Sequence, residues 1–115
     1  MPPKKNPLGL NALQLKTLNL AQALARLDDI ASPDESEPGA VKIDIPLSLH
    51  GDHMHIGGVV LSGRDAAGLK TPGVWAALER KKLSCGNDLT RVVLTSAGLV
   101  YDTGLPAPAF HHADH

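Results

Sequence analysis

The stretch VWAALERKKLSCGNDLTRVVLTSAG, residues 74–98, is the feature that most constrains the fold of this chain. It predicts a short helix, a turn and a strand that stops at a Thr-x-x-Gly, where Thr95 caps a following helical turn. Thr71 is the predicted N-cap of the helix, and Pro72 takes the first helical position, where a missing N–H costs nothing. The apolar spacing assigns a core side to Val74, Trp75, Leu78 and Leu83, and an outward side to Ala76, Ala77, Glu79 and Arg80.

A leucine-rich segment near the N-terminus predicts a longer helix. Asn11 is its predicted N-cap, and the helix is expected to stop near Asp28 and Asp29, which lie unfavourably at the negative end of the helix dipole. Its apolar face is wider than one small core requires, so two alternatives stay open. The helix is the central core helix, or it contacts a second copy or a protein partner. The face comprises Leu10, Leu13, Thr17, Leu20, Leu24 and Leu27, and Leu15 and Leu18 widen it.

Between these helices the sequence predicts an acidic loop, a β-hairpin and a short helix. Residues 32–39 are acidic with two prolines, which is typical of a solvated loop. Residues 41–49 alternate as a half-buried strand, and Pro46 makes that strand an edge or breaks it. Residues 53–62 predict its hairpin partner, with Gly57 and Gly58 as a bulge or a close backbone approach. One or two helical turns should then follow Ser62 as cap and end at Gly68.

The order of these elements resembles the winged-helix superfamily in the second half of the chain, most closely the wing region of MarR-like regulators. The resemblance is carried by VWAALERKKL, GND and RVVLTSAGL. It implies a small α+β winged-helix domain over residues 10–104, with a long N-terminal helix, a β-hairpin, two short helices and a wing strand. Residues 1–9 are expected to be disordered, and residues 105–115 to form a flexible tail that contains histidines. The matching residues are Leu78, Lys81, Leu83, Leu94, Thr95 and Gly98.

The charge distribution is compatible with a modest basic face. The formal net charge is −1, but residues 62–91 hold six basic and three acidic residues, a local excess of +3. In a winged-helix protein, the helix after Pro72 would approach the major groove of double-stranded DNA, and basic residues would meet phosphates. The predicted nucleic-acid contacts are Lys70, Thr71, Arg80, Lys81, Lys82 and Arg91.

Two functions therefore stay open. The first is a small DNA-binding or transcription-associated protein. The second is a protein-interaction module that uses the winged-helix frame without DNA. The second is favoured by the net charge, by Glu79, which would repel phosphate, and by the scarcity of base-reading side chains in the first half of the predicted recognition helix.

The segment HGDHMH is a candidate metal site, although the favoured interpretation is a polar hairpin tip without a ligand role. His53 and His55 are two residues apart, so on a strand they lie on one face, and His50 or Asp52 can complete a site from the turn. Such a nitrogen and oxygen ligand set suits Zn²⁺, Ni²⁺ or Cu²⁺. No cofactor other than such a metal is predicted.

Cys85 is the only cysteine, so no internal disulfide can form, which fits a reducing compartment. A plain exposed or half-buried thiol is the favoured interpretation of Cys85; the alternative is that nearby Lys81 and Lys82 lower its pKa. No nucleophile elbow or phosphate-binding loop is present, and the protein is predicted not to be an enzyme. With no apolar run of membrane-spanning length and no secretion signal, the sequence predicts a cytoplasmic protein without a membrane partner.

Overall fold

The computed structural model describes residues 8–45, 53–56, 59–62, 67–86, 91–106, 108 and 111–112. Within these ranges the chain is an α+β protein with three helices and two three-stranded antiparallel sheets, which confirms the predicted class. The helices are α1 (Ala12–Leu24), α2 (Pro72–Arg80) and α3 (Ser96–Val100), and a 3₁₀ turn (Ala67–Lys70) precedes α2. The strands are β1 (Ala31–Pro33), β2 (Val41–Asp44), β3 (His53–Ile56), β4 (Val59–Ser62), β5 (Arg91–Leu94) and β6 (His111–His112).

Helix α1 begins where the sequence predicted and ends earlier. The Asn11 side chain accepts from the Gln14 N–H, and the Gln14 side chain accepts from the Asn11 N–H, so a complete capping box starts the helix. The predicted end near Asp28 and Asp29 is wrong, since the last helical residue is Leu24. Tight i to i−3 hydrogen bonds follow the helix and turn the chain, which places Ile30 in the core.

The apolar face of α1 packs mainly inside the protein. Five of its residues are buried, which confirms a helix buried on more than one side: Thr17, Leu18, Leu20, Ala21 and Leu24. Leu13 departs from this pattern with 42% of its surface exposed. The described structure therefore supports the reading of α1 as a core helix.

The first sheet has the order β1-β2-β5 and includes a strand that the sequence did not predict. Residues 32–39 were expected to form only a loop, but Ser32 and Pro33 belong to β1 and pair with Lys42 and Val41. The acidic turn that follows, residues 34–40, connects β1 to β2. On its other side, β2 pairs with β5, with Ile43 opposite Val92. Strand β2 is therefore central within this sheet, and it ends at Asp44, before Pro46, which lies outside the described residues.

The predicted hairpin between residues 41–49 and 53–62 is wrong. Strand β3 instead pairs with β4 in a hairpin of its own, with Ile56 opposite Val59, so two residues connect them. Gly57 and Gly58 occupy that connection and lie outside the described residues. Strand pairing depends on partners far away in the sequence, and alternation within one strand does not reveal them.

The second sheet, of order β3-β4-β6, and the 3₁₀ turn account for two further differences. Ser62 is the last residue of β4, and residues 63–66, where the predicted helical turns would begin, lie outside the described residues. Gly68 lies inside the 3₁₀ turn and is buried, so it does not end a helix; an added Cβ would overlap the side chain of Thr17. The C-terminal residues, expected to be loose, contribute β6, which pairs with β4.

Aliphatic side chains from α1, α2 and the first sheet form the core. The predicted core side of α2 is confirmed, and the Trp75 indole donates to the Leu69 carbonyl at 3.1 Å. Ala77, expected to face outward, is buried. None of the helices in the described part of the chain combines the length and the apolar character that a membrane span requires. The largest fully buried side chains are Leu18, Leu24, Ile43, Leu78, Leu83 and Leu94.

Candidate functional site

Helix α2 ends in a hydrogen-bonded turn that carries three consecutive cations, Arg80, Lys81 and Lys82. This segment is called the basic turn below. The last helical residue is Arg80, Lys81 is the C-cap, and Lys82 follows it. The Lys82 N–H donates to the Glu79 carbonyl at 3.0 Å, and the Leu83 N–H donates to the Leu78 carbonyl at 3.0 Å. These are the two bonds of a Schellman motif, in which the chain reverses through a left-handed residue.

Lys82 occupies that left-handed position with φ of 64°. It is the one residue other than glycine with positive φ in the described part of the chain. Glycine is the usual residue there, since a Cβ in this conformation costs roughly 1 kcal/mol. The buried pair of Leu78 and Leu83 supplies the apolar contact that accompanies such a motif and offsets part of this cost.

Thr95 holds the same turn from the strand side. Its hydroxyl donates to the Lys82 carbonyl at 2.8 Å and accepts from the Gly98 N–H at 3.1 Å, while its own N–H donates to the Leu83 carbonyl. The predicted cap at Thr95 is thereby confirmed, and it also fixes the basic turn. Gly98 packs so closely that an added Cβ would overlap the carbonyl oxygen of Leu83. The Thr-x-x-Gly pattern therefore joins α3, β5 and the end of α2.

The predicted nucleic-acid contacts do not form one cluster. Arg80, Lys81 and Lys82 are adjacent and exposed. Thr71 lies at the opposite end of α2, about 14 Å away along the axis at 1.5 Å per residue. It occupies the N-cap position as predicted, but its side chain makes no capping hydrogen bond. Lys70 precedes it as the last residue of the 3₁₀ turn.

Arg91 is separate from the basic turn. It begins β5, three residues before Leu94, which forms a bridge with Ser84 next to the turn. Its Nε lies 3.9 Å from an Asp44 carboxylate oxygen, and the two side chains are 48% and 71% exposed. An exposed ion pair at this distance is worth less than about 1 kcal/mol, so Arg91 is engaged only weakly.

Cys85, at the base of the predicted wing, lies near three acidic side chains. Burial raises the pKa of the Cys85 thiol, and the negative charges of Glu37, Asp34 and Glu79 raise it further. The favoured interpretation of Cys85 as a plain, half-buried thiol is therefore confirmed, and the alternative of a pKa lowered by Lys81 and Lys82 is wrong. Two of these acids come from the turn between β1 and β2, which the sequence places far from Cys85. The cluster of acids in residues 34–37 is visible in the sequence, but its proximity to Cys85 is not.

Cys85 is expected to react slowly with iodoacetamide, because the thiolate is the nucleophile and its formation is disfavoured. The pH at which alkylation reaches half its maximal rate should lie above that of the urea-unfolded chain. Glu37→Gln should lower this midpoint, since it removes one of the negative charges that act on the thiol. Glu35→Gln is the matched control and should leave it unchanged. Equal midpoints for the folded and unfolded chains would contradict this account.

The predicted metal ligands are only partly described. His50 and Asp52 lie outside the described residues, whereas His53 and His55 belong to β3, two residues apart. Among the side chains that the structure describes, no group of three or more His, Cys, Asp or Glu residues is placed to hold a metal ion. No protein-family model, curated protein or solved structure matches this chain.

Proposed function

We propose that the chain is a small winged-helix DNA-binding or transcription-associated protein that binds duplex DNA mainly through its phosphates. Support for the winged-helix interpretation comes from the elements after α2. The chain from Leu83 to Cys85 returns as β5, with a bridge between Ser84 and Leu94 and a Cys85 N–H donating to Val93. Strand β2 completes this sheet from the other side of β5. A helix followed by such a hairpin is the arrangement of a recognition helix and wing.

The observation that carries the proposal is the conformation of Lys82. A lysine at a left-handed position costs stability that glycine would save, and strain of this kind tends to persist where a side chain has a functional role. Its neighbours Arg80 and Lys81 are exposed beside it, so the turn presents three positive charges on a fixed backbone. Because the backbone of the turn is already ordered, binding an anionic backbone has to order only the side chains.

Contacts to base edges are a minor part of this proposal. The exposed residues of α2 before Arg80 are Pro72, Gly73, Ala76 and Glu79. None of them donates a side-chain hydrogen bond to a base edge. The binding we propose is therefore largely independent of DNA sequence, with Arg80, Lys81 and Lys82 as the central contacts.

A labelled mixed-sequence duplex titrated with the protein at several salt concentrations tests the proposal. Three phosphate contacts give a slope of log K against log salt of about −2.7, which is a roughly 40-fold loss of affinity between 50 and 200 mM salt. A slope near −4.5, for about five contacts, would bring Lys70 and Arg91 into the interface. Absence of binding by the folded protein at 50 mM salt would overturn the proposal.

Lys82→Gly separates the stability of the turn from its charge. We expect this variant to be more stable by roughly 0.5–1 kcal/mol, because glycine relieves the left-handed strain, and to bind the duplex more weakly with a slope shallower by about 0.9. Lys82→Arg is the control that keeps both charge and strain and should match the wild type. Thermal unfolding and the duplex titration measure the two effects. A Lys82→Gly protein with unchanged affinity would show that the strain does not serve DNA binding.

A second candidate function is a protein-interaction module without DNA binding. The observation that favours it is the acidic surroundings of the wing base, where Asp34, Glu37 and Glu79 act on Cys85. The leucines of α1 raised the alternative that a partner docks on this helix. Leu13 is the only large apolar side chain of α1 that is exposed. This function would be favoured if the folded protein did not bind the duplex but bound a defined protein partner. Leu13→Asp should then abolish binding of that partner, and Lys81→Glu should not.

A further inference from the structure

The acidic turn between β1 and β2 lies at the same end of the first sheet as the basic turn. Pro33 of β1 is opposite Val41 of β2, and Val41 is opposite Leu94 of β5. Leu94 is also bridged to Ser84, so a single row crosses the sheet from β1 to the residue that follows Leu83. Every neighbouring pair in this row is antiparallel, so the chain beyond the row, on one side, belongs to three connections. They are residues 34–40, residues 95–96 and residues 80–83.

The two residues that follow β5 join these turns. An added Cβ at Gly39, in the acidic turn, would lie 3.2 Å from the Ser96 Cβ. The preceding residue, Thr95, donates its hydroxyl to the Lys82 carbonyl at 2.8 Å. Neighbouring strands lie about 4.8 Å apart, so the backbones of β2 and of Ser84 are roughly 10 Å apart across β5. The acidic turn and the basic turn are therefore close neighbours with an ordered connection between them.

The acidic turn holds its negative charges on a fixed backbone. Glu35 and Glu37 are exposed, and Asp34 is half-buried. The Asp34 carboxylate accepts from the Ser36 hydroxyl at 2.8 Å, and the Asp34 N–H donates to the Ala40 carbonyl at 3.0 Å. These bonds close the turn on itself, so its charges keep their place beside the basic turn.

The field of the acidic turn extends toward the basic turn. Burial raises the pKa of the Cys85 thiol, and the charges of Glu37 and Asp34 raise it further. Cys85 comes three residues after Lys82. The Debye length is about 10 Å at 0.1 M salt, which is comparable to the separation of the two turns, so salt screens this field only in part. A phosphate held at the basic turn is therefore repelled by the acids beside it.

A duplex brings more than one phosphate to this end of the sheet. B-DNA carries one negative charge per about 1.7 Å of its axis, so a duplex seated on the basic turn extends a dense row of charges in both directions. Where that row passes the acidic turn, like charges face each other. Such like-charge contacts suppress one way of docking and leave the others, so they select an orientation.

We propose that the acidic turn regulates DNA binding at the basic turn, because its charges keep the duplex to the side that faces away from residues 34–37 and lower the affinity. This inference rests on the proposed function, since it concerns the same site. It assigns a repulsive role to Asp34 and Glu37, and their neutralisation should therefore strengthen binding. A merely structural role of these acids would have the opposite effect or none.

Duplex titration of a variant with Asp34→Asn and Glu37→Gln tests the inference. We expect about 5-fold tighter binding at 50 mM salt and a gain of less than about 2-fold at 300 mM, because salt screens the repulsion that is removed. Asparagine keeps an oxygen that accepts from the Ser36 hydroxyl, so the turn should stay closed. Glu37→Gln alone leaves Asp34 in place and should give a smaller gain of the same sign. Thermal unfolding checks that both variants are folded.

Asp28→Asn with Asp29→Asn is the matched control. It changes the net charge by the same amount, but both residues are exposed and precede β1, at the opposite end of the sheet. Its affinity should stay within about 2-fold of the wild type. Equal gains in the two double variants, or no gain from the acidic turn, would overturn this inference and leave DNA binding intact. Absence of binding by the wild type and by all variants at 50 mM salt would overturn both, whereas binding by the Asp34 and Glu37 variants alone would support the repulsion.

Discussion

Gly98→Ala is expected to destabilise the protein by about 3 kcal/mol, which should lower the thermal midpoint by roughly 10 °C. The added methyl group would overlap the carbonyl oxygen of Leu83, and this oxygen already accepts from the Thr95 N–H. Relief requires the backbone of the basic turn or of α3 to move, since no flexible side chain stands in the way. Denaturation followed by circular dichroism measures the loss.

Gly73→Ala is the matched control for that substitution. Gly73 also lies in a helix, but an added Cβ would meet nothing within 4 Å. Alanine is the better helix former, so this variant should gain roughly 0.5–1 kcal/mol. The same chemical change should therefore have opposite signs at the two positions. A gain in stability at both would mean that Gly98 is not in close contact with Leu83.

Leu18→Ala is expected to cost about 3–4 kcal/mol, since Leu18 is 0% exposed in the centre of the core and its truncation leaves a cavity. Against a typical total stability of 5–15 kcal/mol, this is a substantial part of what keeps a small domain folded. The denaturant midpoint at constant slope gives the value.

Leu13→Ala removes the same atoms from a residue of the same helix that is 42% exposed. We expect a cost below about 1 kcal/mol, because little apolar surface is lost from the core. Comparable losses for Leu13 and Leu18 would show that both faces of α1 are covered, as in a dimer. Sedimentation of the two proteins over a range of concentrations would then reveal the second copy.

Features set by neighbouring residues could be predicted from the sequence. Asn11 caps α1, Pro72 occupies the first position of α2, and Thr95 caps α3, each through hydrogen bonds or dihedral preferences within three or four residues. Strand pairing could not be predicted in this way. The partner of β2 is β5, about 50 residues later, and β1 is hidden in a segment whose prolines and acids are typical of loops. Only the folded core decides such pairings.

In the candidate site, too, local features could be predicted from the sequence and distant contacts could not. The exposure of Arg80 could be predicted from helical spacing, but the left-handed turn at Lys82 could not, because glycine, its usual marker, is missing. One signal was present, since Leu78 and Leu83 have the five-residue spacing of the apolar contact in a Schellman motif. The acids near Cys85 and the register of His111 depend on distant contacts, and no local pattern reports them.

The short strand β1 has a consequence for how the protein behaves at high concentration. An edge strand exposes unpaired N–H and C=O groups, to which another chain can add and begin an aggregate. Here that edge is three residues long, contains Pro33, which has no N–H to offer, and is followed by the acids of residues 34–37. On the opposite side of the first sheet, Ser84 covers part of β5 by pairing with Leu94. Neither edge of this sheet is a good template for the addition of a strand from another molecule.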